Sequence, residues 1–259
     1  MYTDPQKSFH LKGIATIRQE LETVAGTGFS VRRVFLADGD AMTLSFRRLQ
    51  EILQAIKDFL PHIQRVSAYC LPRNVQNKSI EELQALRQLG LSLVYVGCET
   101  GDDVLLDKIQ KGETWQTSLD ALQKLQKAGI KRSVMILNGL GGSVFSEQHA
   151  RNSASLMNET QPEYLATLVV SFPKGTQRFE QAFDDRFQIM NSIQLAQEME
   201  LFLSQLQLDK TIFRSDHASN YLVLKGVLNK DRERLLAIVR QSIDKPGSVS
   251  LRQEWQRGL

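Results

Sequence analysis

Ser133-Val134-Met135-Ile136-Leu137-Asn138-Gly139-Leu140-Gly141-Gly142 decides the fold. The first five residues are small or apolar and rich in β-formers, which predicts a buried strand. Asn138, Gly139, Gly141 and Gly142 then make a turn in which the backbone is free to approach a ligand. A helix is expected from about Ser146 to Glu159, so the stretch is one strand–turn–helix unit. The same unit recurs upstream. Arg33-Val34-Phe35-Leu36-Ala37 reads as a strand, followed by a helix carrying Leu49, Ile52, Leu53, Ile56 and Leu60 and stopped by Pro61. Arg65 to Tyr69 is the next strand. Ser79 and Glu82 then form a capping box that opens a helix ended by Gly90. Leu93 to Val96 is a third strand, and the helix from about Trp115 uses Leu119, Leu122 and Leu125, with Gly129 just past its end. Tyr164 to Val170 is the fifth strand.

Strands alternating with helices predict right-handed βαβ units and a parallel sheet. An open dinucleotide-binding sheet would want a glycine fingerprint after its first strand. Asp38-Gly39-Asp40-Ala41-Met42 is not one, so the expectation is α/β with a barrel or partial barrel. Beyond Ser171 the alternation fades. A long helix is expected from about Phe187 to Leu206, then a short segment Thr211 to Phe213, a polar cluster Arg214 to Tyr221, and a helix from about Asp231 to Ile243. The tail from Lys245 is polar and expected to be solvated and mobile. Two regions are expected: a core over 1–177 and a mostly helical extension over 178–259.

The composition narrows the function. Apolar residues are 42% of 259, enough for a sizeable core. Basic residues number 32 against 29 acidic, a net of +3 that gives no reason to expect nucleic acid as the main partner. No apolar run is long enough to span a bilayer, so no membrane partner is expected. Two cysteines, Cys70 and Cys98, fit a reducing, cytoplasmic setting. They lack C-x-x-C spacing and read as buried thiols, and they exclude any cluster that takes three or four thiolates from these residues.

In a parallel α/β fold the carboxyl ends of the strands carry the ligand site. The loops there are Asp38-Gly39-Asp40, Leu71 to Asn74 with Arg73, Gly97 to Gly101 with Glu99, Asn138 to Gly142, and Ser171 to Pro173. Each also has a structural reading. Asp38-Gly39-Asp40 is a good turn, Glu99 could cap a helix, Arg73 could pair with a carboxylate, and His217 could be a half-buried core histidine.

Three stretches together resemble the radical S-adenosylmethionine (SAM) superfamily, in the branch of Elongator-type and methylthiotransferase-type enzymes. They are Phe35 to Ala41, Tyr95 to Gly101 and Ile136 to Gly142, and Asp107 to Gly112 fits the same branch. The resemblance covers about 1–177 and implies a (β/α)6 partial barrel with a helical extension. It implies reductive cleavage of SAM to a 5′-deoxyadenosyl radical, which then takes a hydrogen atom from an unidentified substrate, with an electron donor such as flavodoxin or ferredoxin. By the resemblance, Asp38, Gly39 and Asp40 would hold the SAM amino group, Arg73 its carboxylate, Glu99 the ribose or methionine part, and Asn138 and Gly139 the adenine. Arg214, His217, Asn220 and Tyr221 would face the substrate. No catalytic residue and no metal ligand is assigned. The family's C-x-x-x-C-x-x-C loop, which holds a 4Fe–4S cluster, does not occur. Met1-Tyr2, Lys7 and Phe9 resemble the segment immediately downstream of that loop. The expectation is therefore a chain that starts just past it, lacks the barrel's first strand, and is inactive as it stands. The alternatives are a catalytically silent nucleoside-binding or regulatory protein and, behind it, a metal-dependent hydrolase or aldolase barrel using Asp38, Asp40 and Glu99.

Overall fold

Seven strands form one sheet whose spatial order is the order of the chain. The computed structural model describes residues 11–37, 39–173 and 175–258; the expectations on Met1, Tyr2, Lys7, Phe9 and Asp38 lie outside them. The elements in chain order are α1 (Ile14–Gly26), β1 (Arg33–Leu36), α2 (Phe46–Phe59), β2 (Arg65–Cys70), α3 (Pro72–Gln76), α4 (Ile80–Gln88) and β3 (Leu91–Glu99). Next come α5 (Asp103–Lys108), α6 (Trp115–Lys127), β4 (Lys131–Asn138), α7 (Gly142–Thr160), β5 (Tyr164–Val169) and α8 (Gln177–Ala182). The chain closes with α9 (Ser192–Gln205), β6 (Ile212–Ser215), β7 (Leu224–Val227) and α10 (Leu228–Asp244).

β1 to β6 run parallel, and β7 pairs antiparallel with β6. Right-handed crossovers between strands laid down in strict succession put every crossover on one face of the sheet. A doubly wound sheet would reverse order part-way and cover both faces. The sequential order therefore gives the α/β partial barrel expected above, with helices outside and an open concave face inside. Side chains alternate accordingly. Val66, Ala68 and Cys70, Val94, Val96 and Cys98, Val134 and Ile136, Leu165 and Phe213 are buried in the core beneath the helices. Phe35, Tyr69, Tyr95, Met135 and Arg214 belong to the other face, which is at least partly solvent-accessible.

The capping box of Ser79 and Glu82 opens α4, and α6 ends just before Gly129 in the left-handed region. Two expectations are corrected, and one strand is added. The helix placed at Phe187 starts at Ser192. Asn191 caps the amides of Ile193 and Gln194, while Phe187 packs with Phe172, Phe179 and Phe183. The segment after the polar cluster is a strand, β7, whose partners on β6 run from Ile212 to Ser215. The tail stays largely exposed, with Trp255 82% exposed, but two of its arginines dock it onto the protein. Arg252 donates to the carbonyls of Asp216, His217 and Asn220, and Arg257 donates to that of Ser219. Among the described residues no helix is long and apolar enough to cross a membrane.

Candidate ligand site at the strand carboxyl ends

Five of the loops predicted to carry the site share one end of the sheet, because β1 to β5 are consecutive parallel neighbours. Adjacent strands lie about 5 Å apart. On the β1–β3 side, contacts join the loops into one cluster. Arg73 donates from its amide and Nε to Glu113 Oε1 at 2.9 and 3.0 Å, and from Nη2 to the Lys111 carbonyl. Lys111 Nζ in turn meets Glu99 Oε1 at 2.7 Å. Among the described residues no hydrogen bond engages Arg73 Nη1, and the side chain is 46% exposed, so this nitrogen can donate to a carboxylate.

Glu99 reaches Lys111 through an unusual backbone. The β3–β4 register shifts between Gly97 and Glu99, and Glu99 sits at φ 65°. This bulge folds the carboxylate back over Gly97, where a Cβ would lie 2.6 Å from Glu99 Oε1. Only glycine leaves that space open. A non-glycine residue held left-handed at a site mouth is strain of the kind that accompanies function.

Asp40 follows β1. Among the described residues neither of its buried carboxylate oxygens has a hydrogen bond of good geometry. Burial raises its pKa above the ordinary 3.8, while the Met42 amide, Thr43, Asn74 and Lys78 nearby pull the other way. Lys78 is itself buried and donates to the carbonyls of Met42 and Asn74 at 2.8 and 3.0 Å, which fixes the loop.

On the β4–β6 side the expected adenine residues are engaged within the protein. Glu198 of α9 accepts from Asn138 Nδ2 and from the Gly139 amide, both at 2.6 Å, and its other oxygen is buried without a partner. His149 Nε2 lies 3.8 Å from the same Glu198 oxygen, while its Nδ1 pairs with Thr100 Oγ1 at 2.8 Å. Gly139 is left-handed at φ 84°, and a Cβ there would come within 2.7 Å of Leu195. A cavity of about 370 Å³ opens beside it, lined by Gly139, Val169 to Pro173, Ile189, Met190, Leu195, Tyr221, Glu254 and Arg257.

The four residues expected on the substrate side divide. Asn220 is buried and clamps β5 to β6, accepting from the Val169 amide and donating to the Thr167 carbonyl and Ser215 Oγ. His217 Nδ1 is 2.9 Å from Ser219 Oγ and accepts from the Ser219 amide. Tyr221 lines the cavity. Arg214 stands on the open face of the sheet, 3.7 Å from Asp216, which also pairs with Lys225 at 2.9 Å. Glu198 was not singled out in the sequence, and Lys111 only as part of the Asp107 to Gly112 stretch, without a role. Glu198 had a signal, since it falls on the apolar side of its helix, three residues after Leu195.

Cys70 and Cys98 are buried. Burial pushes the Cys98 thiol up to about 12 and the Cys70 thiol well above its ordinary value. Among the described residues no three His, Cys, Asp or Glu side chains are grouped to hold a metal. The donor set therefore does not fit an iron–sulfur cluster. Among the described residues, Asp40 offers a buried carboxylate, Arg73 a half-exposed guanidinium and the surroundings of Gly139 a cavity.

The profile of the radical SAM superfamily matches residues 6–154. The chain belongs to the radical SAM superfamily. That family's chemistry is SAM-cleaving radical chemistry, which generally draws on an external electron donor. A heme chaperone, HemW of Bacillus subtilis, is 24% identical over 140 residues, which is 53% of this chain and 37% of HemW. The chain thus spans well under half the length of that relative. Among solved structures, the Elp3 of Methanocaldococcus infernus with an N-terminal deletion superposes with a TM-score of 0.55 at 15% identity, covering 90% of this chain and 59% of that one. The coproporphyrinogen III oxidase HemN of Escherichia coli superposes with a TM-score of 0.56 at 14% identity, covering 74% and 45%. At these identities the superpositions show a shared fold.

Proposed function

We propose that the radical SAM chain binds S-adenosylmethionine across the carboxyl-end mouth of its sheet, as the core of an enzyme that generates a 5′-deoxyadenosyl radical. The observation that carries the reading is a buried carboxylate, Asp40, on the loop after β1 and a half-exposed guanidinium, Arg73, on the loop after the neighbouring strand β2. An ammonium fits the first and a carboxylate the second, so the amino-acid end of SAM lies over β1 and β2. Asp38 and Gly39 complete the ammonium side. Glu99, held by Lys111, faces the ribose. The base end extends toward Asn138, Gly139 and the cavity at Val169 to Pro173. There the carboxyl of Glu198 holds the Gly139 turn rigid instead of leaving its amide to the ligand.

The chain's own residues bind and orient the nucleoside. Reductive cleavage needs three thiolates, and an electron from a flavodoxin- or ferredoxin-type donor, from outside these residues. The two buried, high-pKa thiols favour a second, narrower reading: taken by itself, the chain is a nucleoside binder that does not turn over. On the substrate side, Arg214 on the open face offers a cation to an anionic group, and His217 borders the same end, while Tyr221 turns to the cavity beside Gly139.

Equilibrium dialysis with labelled SAM tests the reading. One equivalent should bind saturably, be displaced by S-adenosylhomocysteine, and weaken about tenfold or more in Arg73→Met, which loses a charge-assisted contact. Absence of saturable binding by the intact chain overturns it.

A further inference from the structure

The C-terminal tail runs back to the mouth of the sheet and forms one side of the cleft beside Gly139. Arg257 lays its guanidinium on the Tyr221 ring, 3.7 Å from the centroid. It donates to Glu254 Oε2 at 2.7 Å and to the Ser219 carbonyl at 2.8 Å. The Tyr221 hydroxyl donates to the other Glu254 oxygen. The three side chains close a ring of contacts, and all three line the cavity of about 370 Å³. Val170, Phe172 and Met190 give the same cavity an apolar lining.

That lining defines an occupant. The volume is within the range of small-ligand sites. The apolar wall suits a flat ring. The cation stacked on an aromatic face offers a planar surface on which a heteroaromatic ring can stack. The Arg257–Glu254 pair is neutral as a unit, so the pocket does not recruit a phosphate. The Glu254 carboxylate retains accepting capacity for an exocyclic amine.

We propose that Tyr221, Glu254 and Arg257 form the tail-borne wall of a purine pocket and hold the base of the nucleoside bound at the mouth. This rests on the SAM reading above and extends it to residues far outside the part of the chain that matches the family. The base packs between the tail wall and the loop after β5. The tail thereby sets base specificity, and it becomes more ordered when the pocket fills.

The test is calorimetric titration of the full chain with 5′-deoxyadenosine, paired with hydrogen exchange of the amides of residues 252–257. Binding by the wild type should weaken about tenfold in Arg257→Ala, the loss of one stacked cation, and less in Arg257→Lys, which keeps the charge without the plane. In the wild type, exchange at 252–257 should slow on adding 5′-deoxyadenosine. Should Arg257→Ala not fold, Tyr221→Leu removes the stacking surface and should weaken binding by a similar factor. A wild type that binds, with variants that bind equally well or a tail whose exchange does not change, overturns the purine wall and leaves the SAM reading standing. A wild type that binds neither SAM nor 5′-deoxyadenosine overturns both.

Discussion

Removing the carboxyl of Glu198 should cost more stability than almost any other single change near the mouth. Its side chain is 2% exposed and its Oε1 accepts from both Asn138 Nδ2 and the Gly139 amide at 2.6 Å. Alanine leaves the Gly139 amide buried without an acceptor and Asn138 Nδ2 with only the Leu195 carbonyl at 3.4 Å, about 1–3 kcal/mol for each lost bond, and opens a small void as well. The expected loss for Glu198→Ala is about 3–5 kcal/mol. For a chain of this size that lowers the thermal midpoint by roughly 10 °C. Glutamine keeps the accepting oxygen in place, and the oxygen it replaces with an amide nitrogen has no partner to lose. Glu198→Gln should therefore stay within about 1 kcal/mol of wild type. Urea denaturation followed by circular dichroism measures both variants. Equal m-values across the series would show that only stability has changed. An alanine variant within about 0.5 kcal/mol of wild type, or a glutamine variant as unstable as alanine, refutes the assignment of Glu198 as the acceptor that fixes the Gly139 turn.

Asn220→Ala removes the partners of the Val169 amide, the Thr167 carbonyl and Ser215 Oγ, so urea unfolding should show a loss of about 2–4 kcal/mol. Both thiols should be silent toward a disulfide reagent at about pH 8 in the native state and react once the chain is denatured, because burial holds Cys98 near 12 and Cys70 well above its ordinary value; rapid native labelling of either would contradict their placement. At Glu163, burial raises the carboxyl, but hydrogen bonds from Arg132 and its charge outweigh this and hold it below 4.5. A depressed carboxyl stabilises the fold above its unfolded pKa, and that stabilisation is lost as pH falls through the folded value. Thermal midpoints should thus drop between about pH 5 and about pH 3, and Glu163→Gln should flatten that drop; an unchanged slope would count against the Arg132 pair.

The barrel was legible because it depends on local signals. Alternating β-branched runs, the Ser79–Glu82 box and Gly129 each act within a few residues of themselves, and right-handed crossovers between successive strands then put the helices on one face. The features the sequence hid depend on distance along the chain. Glu198 meets Asn138 across sixty residues, and nothing near either residue announces the pairing. β7 is four residues long and its sequence, Leu224-Lys225-Gly226-Val227, carries no alternation; its antiparallel place beside β6 makes it a strand. The tail read as solvated because its arginines are polar. Their targets are backbone carbonyls of 216–220, which composition does not reveal. Lys111 sat in a motif already singled out, but its role emerges only from the bulge that turns Glu99 back toward it.

Hydrogen exchange of the full chain with and without SAM tests the central claim most directly, because it reports which backbone closes over the ligand. Slowed exchange should appear together at residues 39–42, 97–101, 138–142 and 169–173, on the carboxyl ends of neighbouring strands, and leave the opposite end of the sheet unchanged. Protection confined to the amino ends of the strands, or none at a SAM concentration that saturates binding, would contradict it.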